Sequence, residues 1–293
     1  WVRVEGPLEE SIVKQISHIF NIYDLHIDDV LSIGQRPKLD YGDDYIFFSL
    51  QISELTNLEN KLKMELNHIS FFLKNGLLVS FCQRPTKVFN HILERIERGL
   101  GKIRNFGSDY LLYRLLDAIF DKYFDAQEEI TNILLALDEV VEKGNNIELL
   151  KQTQAIIVTL NNYHRMIHPL EEQTKNLLEV DNNLLHKRTT IFYRSLLDYV
   201  KQLDDTSMFL INKSSNIREY LYQLNNHRTN KVIENLTILA TIFMPAALVS
   251  SIFGMNFKNI PWADHAYGFW ISIALMTFVT LGLTLALRSR RSK

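Results

Sequence analysis

The side chains most able to carry chemistry are scattered along the chain rather than grouped in one motif. His164 and His168 lie one helical turn apart, and imidazoles at that spacing can bind a transition metal. The sequence shows no third ligand beside them, and Pro169 disturbs the helix that would carry them, so a structural role is favoured. Neighbouring acids recur along the chain and are interpreted as solvated faces: Glu128-Glu129, Asp138-Glu139 and Asp204-Asp205.

Composition and motifs exclude several classes of protein. No phosphate loop, nucleophile elbow or paired-carboxylate motif occurs among the 293 residues, so we expect that the chain is not an enzyme. The 34 acidic and 32 basic residues leave a net charge of −2, which argues against a dedicated nucleic-acid binder. The single cysteine, Cys82, excludes an internal disulfide framework and a zinc site built of cysteines.

Two long uncharged runs occupy the end of the chain, Asn235–Phe257 with 23 residues and Ala266–Leu287 with 22. As a helix, each run would reach about 33 Å, enough to cross a hydrocarbon core of about 30 Å. Two buried helices of a soluble core would also be uncharged. The close spacing of the runs nevertheless favours two antiparallel spans in a lipid bilayer.

Basic residues flank the outer ends of both spans, whereas the segment between the spans contains one lysine, Lys258. The flanking residues are Arg228, Lys231, Arg288, Arg290, Arg291 and Lys293. The positive-inside rule therefore predicts a multi-pass protein of the cell (inner or plasma) membrane with both termini in the cytoplasm. Because the chain opens at Trp1 rather than Met, we expect that part of the native N-terminus is missing.

The region before the spans is predicted to have three parts. Residues 1–105 form an α/β cytoplasmic domain, in which four β-rich runs accompany two short helices and Asn75-Gly76 marks a hairpin turn with positive φ at both positions. Residues 106–180 form a helical hairpin with a kink or break at Pro169, and residues 181–236 form a stalk helix. The remaining segments are span 1 (237–256), an external loop (257–266), span 2 (267–287) and a basic cytoplasmic tail (288–293).

The stalk is predicted to continue into the first span, because no Pro or Gly lies between Pro169 and Pro245. One helix would then run from about Asn183 to Phe253. Within it, apolar residues recur every seven positions: Leu196, Leu203, Leu210, Ile217 and Leu224. A helix packed on its own domain explains this seam almost as well as a stalk packed against other copies, and the continuity favours the stalk.

Three blocks of sequence carry a family resemblance. The first block is Ile27–Lys38, which ends with the residues Gln-Arg-Pro-Lys. The second is Asn226–Val232, just before the first span, and the third is Gly254-Met255-Asn256, at the end of that span. In this order they resemble the CorA family of divalent-cation channels, over essentially the whole chain. The resemblance implies an α+β cytoplasmic domain, a long stalk helix and two C-terminal transmembrane helices. It also implies a funnel-shaped homopentamer whose first span lines the pore.

By the same resemblance, Gly254, Met255 and Asn256 form the selectivity filter, and five Asn256 side chains make a ring of amide oxygens. Magnesium dehydrates reluctantly. Neutral amides can hydrogen-bond its water shell without holding the ion as tightly as carboxylates would. The alternative is that Gly254 and Asn256 only cap a helix.

Helical spacing back from Asn256 predicts the pore-lining stripe. Its residues are Asn230, Ile233, Leu236, Thr237, Ala240, Met244, Ala247 and Ser251. None of them is ionisable, and Met244 with Leu236 and Ile233 below it would form an apolar gate that closes by dewetting. The alternative is ordinary helix packing, which small residues also favour.

The chain departs from the family at a regulatory site. The resemblance implies that intracellular Mg²⁺ bridges carboxylates between cytoplasmic domains. It places Asp29 at one such position, and Asp28 adjoins it. The usual acid on the stalk is replaced by Ser195, so Asp198, one turn further, is the candidate substitute. A solvated acidic pair is the alternative for Asp28 and Asp29.

The function implied is a channel for hydrated divalent cations, with Mg²⁺ as cargo and possible regulator and no organic cofactor. Uptake would run down the membrane potential. The sequence does not discriminate Mg²⁺ from Co²⁺, Ni²⁺ or Zn²⁺, so a ZntB-like zinc transporter of the same fold is the first alternative. A two-span membrane signalling protein with a coiled stalk is the alternative from another class, and a soluble enzyme with a membrane anchor is a third.

Overall fold

A computed structural model describes residues 1–32, 34–58, 61–141, 146–179, 183–255 and 266–291. They divide into two compact units, Trp1–Leu221 and Tyr222–Lys293. The strands are β1 (Val2–Glu5), β2 (Lys38–Tyr41), β3 (Tyr45–Leu58), β4 (Lys61–Lys74) and β5 (Leu77–Cys82). The helices are α1 (Glu10–Ile19), α2 (Asp24–Leu31), α3 (Asn90–Glu97), α4 (Ser108–Val140), α5 (Asn146–Glu179), α6 (Thr190–Phe253) and α7 (Gly268–Arg291).

The first unit is built on a five-stranded sheet in the order β1-β5-β4-β3-β2. Strand β1 runs parallel to β5, and the other neighbours are antiparallel. Alternation along the strands sends Phe48 and Phe71 into one hydrophobic cluster and Phe47 and Phe72 into another. The first cluster includes residues of α3, α4, α5 and α6, and the second includes residues of α1 and α2. The sheet is therefore covered by helices on both faces.

The predicted hairpin between β4 and β5 is confirmed, because Lys74 pairs with Leu77 across a two-residue turn. The predicted conformation of the turn is wrong in part. Gly76 has φ of 73°, whereas Asn75 is not among the described residues with positive φ. The turn therefore needs the left-handed conformation only at its second position, which glycine adopts without strain.

The four predicted β-rich runs are confirmed as β1, β3, β4 and β5, and the two predicted short helices as α1 and α3. Strand β2 and helix α2 are additional elements. Of the predicted kink or break at Pro169, the break is wrong, because α5 continues through this residue to Glu179, and the kink stays a prediction. Proline removes one backbone donor, and the remaining hydrogen bonds of a 34-residue helix keep it intact. The sequence also predicts that the helix that begins at Ser108 stops at Gly144-Asn145-Asn146. Residues 144 and 145 lie outside the described residues, and α5 begins at Asn146.

Helix α6 begins at Thr190, later than the predicted start near Asn183. The cause is the buried carboxylate of Asp109, in the first turn of α4. Its Oδ2 accepts hydrogen bonds from the His186 backbone N–H (2.9 Å), the His186 Nδ1 (2.9 Å) and the Thr189 hydroxyl (2.6 Å). These bonds hold the segment before Thr190 in a turn.

The leucine seam of α6 packs against other helices of the same chain. Leu196, Leu203, Leu210 and Ile217 are buried, and Leu196 and Leu203 belong to the core cluster that includes residues of α4 and α5. The Gln127 side chain also donates a hydrogen bond to the Leu203 carbonyl (3.0 Å). The preference for a seam packed against other copies is therefore wrong for these positions, since the apolar face is covered by the chain's own helices.

Candidate functional site

The residues predicted to line a pore lie on the part of α6 that belongs to the second unit. All eight members of the stripe are exposed: Asn230, Ile233, Leu236, Thr237, Ala240, Met244, Ala247 and Ser251. The large apolar members are strongly so, with Met244 at 68%, Leu236 at 65% and Ile233 at 54%. Exposed apolar surface of this extent indicates a face that another molecule covers.

The opposite face of the same helical segment is partly covered. Its half-buried residues are Ile238, Thr241, Ile242, Pro245, Ala246, Val249 and Phe253. At about 100° per residue, these positions centre on the side of the helix away from the stripe. A cavity of about 430 Å³ is lined by Ser250 and Phe253 of α6 and by Ser272 and Met276 of α7, so the two helices lie side by side here. The segment thus has one face toward α7 and the stripe on the other.

Both helices meet the requirements for a membrane span. Among the described residues, α6 and α7 are the two helices long and apolar enough to cross a bilayer. The most apolar 18-residue stretch of α6 has no buried residue, and that of α7 is 11% buried. A core helix of a soluble protein would be mostly buried, so this exposure favours lipid or other subunits as the surroundings.

Two threonine hydroxyls on this segment are satisfied within the helix itself. The Thr237 hydroxyl donates to the Ile233 carbonyl (2.8 Å), and the Thr241 hydroxyl donates to the Thr237 carbonyl (2.8 Å). Such bonds lower the cost of placing threonine among apolar groups. Pro245 donates no backbone hydrogen bond to the Thr241 carbonyl, yet α6 continues beyond it to Phe253.

The predicted filter begins where α6 ends. The Gly254 N–H donates to the Ser250 carbonyl (3.0 Å), and the Met255 N–H donates to the Ile252 carbonyl (3.3 Å). Gly254 is not among the described glycines with positive φ, so it does not adopt the left-handed conformation that favours glycine. Its small size is used instead, because a Cβ there would lie 3.3 Å from the Ser250 carbonyl oxygen. Met255 is exposed, and Asn256 lies outside the described residues.

The acids predicted to regulate the channel lie on two elements of the first unit. Asp29 is buried on α2, whereas Asp28 beside it and Asp198 on α6 are exposed. Within the described part of one chain, these three carboxylates do not form a group close enough to share an ion. The predicted site joins two subunits, so a single chain leaves it as a prediction.

Lys38, which the sequence did not single out as a functional residue, forms an ion pair with Asp29. The Lys38 Nζ lies 2.7 Å from the Asp29 Oδ2, and it also lies 3.4 Å from the Asp40 carboxylate. Burial lowers the pKa of Lys38, but the two carboxylates outweigh burial and raise it, so the lysine is charged at neutral pH. Lys38 ends the Gln-Arg-Pro-Lys block, which was a signal that could have found it. Any cation that binds Asp29 must compete with this ammonium group.

Comparisons with known proteins agree with this architecture. The family model for CorA-like Mg²⁺ transporter proteins matches residues 1–290. The cobalt/magnesium transport protein CorA of Thermotoga maritima is 30% identical over 99% of this chain and 82% of its own length. The zinc transport protein ZntB of Vibrio parahaemolyticus is 24% identical over 87% of this chain and 78% of its own length.

A solved structure shows the same fold. The CorA magnesium transporter from Methanocaldococcus jannaschii superposes with a TM-score of 0.78 at 20% identity, covering 97% of this chain and 88% of that chain. This likeness includes the α+β unit, the long helix α6 and the two apolar C-terminal helices. With the family model matched along nearly its full length, the chain belongs to the CorA-like family of divalent-cation transporters.

Proposed function

We propose that the chain is the subunit of a homopentameric membrane channel that takes up divalent cations, with Mg²⁺ as the preferred cargo. The observation that carries the proposal is the exposed, uncharged stripe on α6, which leads directly to Gly254-Met255-Asn256. Five copies arranged around an axis would turn the stripe toward a central lumen. The half-buried face of each segment would then pack on its own α7, outside the lumen.

The chemistry of the stripe suits conduction. Asn230 and Thr237 offer neutral polar groups, and Met244 and Leu236 offer bulky apolar ones. An uncharged lumen does not trap a divalent ion, and an apolar ring interrupts the water column when it is narrow. We therefore assign the gate to Met244, Leu236 and Ile233.

The filter is assigned to Gly254, Met255 and Asn256. Amide oxygens at Asn256 would hydrogen-bond the water shell of a hydrated cation. The Gly254 backbone closes on the Ser250 carbonyl (3.0 Å), and this tight end to the helix sets where the following residues begin. The same filter supports cobalt or nickel as minor cargo.

The membrane potential supplies the driving force in this proposal. A divalent ion that enters a cell gains about 4.6 kcal/mol at 100 mV, so accumulation needs no ATP. With both termini in the cytoplasm, the filter faces the outside. Asp28, Asp29 and Asp198 would then lie in the cytoplasm, where imported Mg²⁺ accumulates. We propose that they bind this Mg²⁺ and that its binding reduces further uptake.

Zinc transport is the second candidate function, because ZntB of Vibrio parahaemolyticus aligns with 87% of the chain. The two functions share the fold, so only flux distinguishes them. Mg²⁺ is preferred because the relative with the higher identity, from Thermotoga maritima, is described as a cobalt/magnesium transporter.

The test is ion flux into liposomes that contain only the purified chain. An inside-negative potassium diffusion potential should drive Mg²⁺ entry, read by a trapped Mg²⁺ indicator. Asn256→Ala should abolish this flux, while Asn259→Ala, an amide in the same external segment, should leave it unchanged. Parallel runs with Co²⁺, Ni²⁺ and Zn²⁺ rank the cargoes.

Three outcomes would contradict the proposal. Equal flux in wild type and Asn256→Ala would remove Asn256 from the filter. Zinc flux without magnesium flux would favour the second candidate. A particle mass in detergent that corresponds to any number other than five subunits would refute the pentamer.

A further inference from the structure

Two histidines of α5 and an aspartate of α6 form a cluster within the first unit. The residues are His164, His168 and Asp204, and their potential ligand atoms all lie within 4.8 Å of one another. The expectation that the histidine pair lacks a third ligand is therefore wrong. The third ligand is 36 residues beyond His168, on the next helix, where sequence spacing does not reveal it.

The carboxylate of Asp204 lies between the two imidazoles. Its Oδ1 lies 3.1 Å from the His164 Nδ1, and its Oδ2 lies 3.2 Å from the His168 Nδ1. The two rings are 5.2 Å apart between centroids. Pro169 does not interrupt this arrangement, because α5 remains helical through it.

One oxygen of the Asp204 carboxylate lacks a hydrogen bond. Asp204 is 14% exposed, and in the described part of the chain its ion pairs are to imidazoles rather than to Lys or Arg. Its Oδ1 is buried and has no partner of hydrogen-bond geometry. The Ser207 hydroxyl donates to the Asp204 carbonyl (2.7 Å), so at 2.9 Å it accepts from the His164 Nδ1–H, whose proton must leave before this nitrogen can bind a metal. A buried carboxylate oxygen without a hydrogen-bond partner calls for an explanation, and a cation bound between this oxygen and the two imidazoles would supply one.

We propose that His164, His168 and Asp204 bind a divalent transition-metal ion of the Zn²⁺, Co²⁺ and Ni²⁺ class. Two imidazole nitrogens and one carboxylate oxygen are donors that these ions prefer, whereas Mg²⁺ takes oxygen ligands. Tetrahedral bonds of about 2.0–2.1 Å place ligand atoms about 3.4 Å apart. The observed 3.1 and 3.2 Å separations of the carboxylate from the two imidazoles are close to this value, and the imidazole nitrogens lie within 4.8 Å of each other, so side-chain rotations that bring the two rings together complete the site.

The ion would leave a coordination position for water and would reach the site from solvent. His168 is 67% exposed, against 21% for His164, so the open side of the cluster is the side of His168. Bound metal would tie α5 to α6 by coordinate bonds in addition to apolar packing. The site is independent of the proposed channel, since all its ligands belong to the first unit.

The experiment is equilibrium metal binding to the full chain in detergent. Zn²⁺ is titrated calorimetrically with a large excess of Mg²⁺ present, and Co²⁺ is titrated with its visible d–d absorption as the readout. His168→Gln and Asp204→Asn should each weaken binding at least tenfold, since even a lost outer-shell partner of a metal ligand costs about 10–100-fold. His18→Gln, a change of an exposed histidine on α1, should have no effect.

The outcomes separate the site from folding and from transport. His168 is largely exposed, so its variant should melt like the wild type and the binding comparison remains valid. Asn256→Ala should keep full Zn²⁺ affinity at this site, whatever its effect on flux. Affinity for Zn²⁺ that is unchanged in both His168→Gln and Asp204→Asn would overturn the proposal, as would equal displacement of Zn²⁺ by Mg²⁺.

Discussion

Asp109 is the side chain whose removal should destabilise the first unit most clearly. It is fully buried, and its Oδ2 accepts hydrogen bonds from the His186 N–H, the His186 ring and the Thr189 hydroxyl. These bonds join the start of α4 to the turn that precedes α6. In addition, the Tyr193 hydroxyl donates to the Asp109 carbonyl (2.7 Å).

The magnitude follows from which groups lose a partner. In Asp109→Ala the partly buried N–H of His186 loses its acceptor, whereas the Thr189 hydroxyl can turn its one proton to the His186 carbonyl, 2.7 Å away. A hydrogen bond to a charged group contributes about 1.5–3 kcal/mol, and an orphaned donor costs about 1–3 kcal/mol when it is buried. Because the His186 N–H is only partly buried, we expect a loss of about 3 kcal/mol, which lowers the melting temperature of a unit of this size by about 6–12 °C.

The conservative variant adds a pH signature. Burial raises the pKa of Asp109, but hydrogen bonds from Thr189 and His186 outweigh burial and hold the pKa below its usual value. For a carboxyl with a lowered pKa, the stabilisation is complete above the unfolded pKa, about 4, and is lost as the pH falls through the lowered value. Asp109→Asn should therefore lose about 2 kcal/mol at pH 7 and show a shallower acid limb than the wild type.

Thermal unfolding followed by one tryptophan provides the assay. Trp1 belongs to the first unit, where its Nε1 donates to the Ser80 hydroxyl (2.9 Å) and its ring meets Phe89 edge-on. Trp262→Phe and Trp270→Phe remove the other two tryptophans, so the remaining fluorescence reports this unit alone.

Asp121→Ala is the matched control, because it removes an exposed carboxylate from the same helix. It should change stability by no more than about 0.5 kcal/mol. If Asp109→Ala melts as high as this control, the buried network does not hold the turn before α6, and the reasoning is wrong.

Two further changes concern charges near the sheet. Lys38→Gln should lower the Mg²⁺ concentration that protects the first unit from protease by about fivefold, since the ion pair that competes for Asp29 is worth about 1 kcal/mol; unchanged protection would remove Asp29 from the proposed regulatory site. His68→Gln should flatten the fall in melting temperature below about pH 6.5. Burial lowers the pKa of His68, so its stabilisation exists above the unfolded pKa and is lost as the pH falls, and identical slopes in variant and wild type would exclude this cause.

Elements with strong local periodicity could be predicted from the sequence, and elements fixed by distant partners could not. The long alternation of apolar residues in β3 and β4 was enough to predict these strands. Strand β2 could not be predicted, because it has only four residues and directly follows Pro37. Helix α2 has eight residues and no side-chain cap at its start, so it left little signal. The late start of α6 depends on Asp109, which is 77 residues before His186.

The candidate site divides in the same way. Helical geometry alone places Ser251, Met244 and Leu236 on one face of α6, and all three are exposed there, whereas their place in a pore stays a prediction. The pairing of Asp29 with Lys38 and the meeting of Asp204 with the α5 histidines required the packed fold. The sequence also could not predict which helices cover the leucine seam, since a heptad repeat defines an apolar face but not the partner that packs against it.

That seam bears on how the protein is made. Since Leu196, Leu203 and Leu210 find their neighbours in the same polypeptide, the first unit can complete this part of its apolar core without a second chain. Assembly of the proposed homopentamer would then join subunits that are already folded, and folding and association would be separate events. Substitutions that block association should accordingly lie outside the seam, while substitutions among its leucines should destabilise the single chain and lead to its degradation.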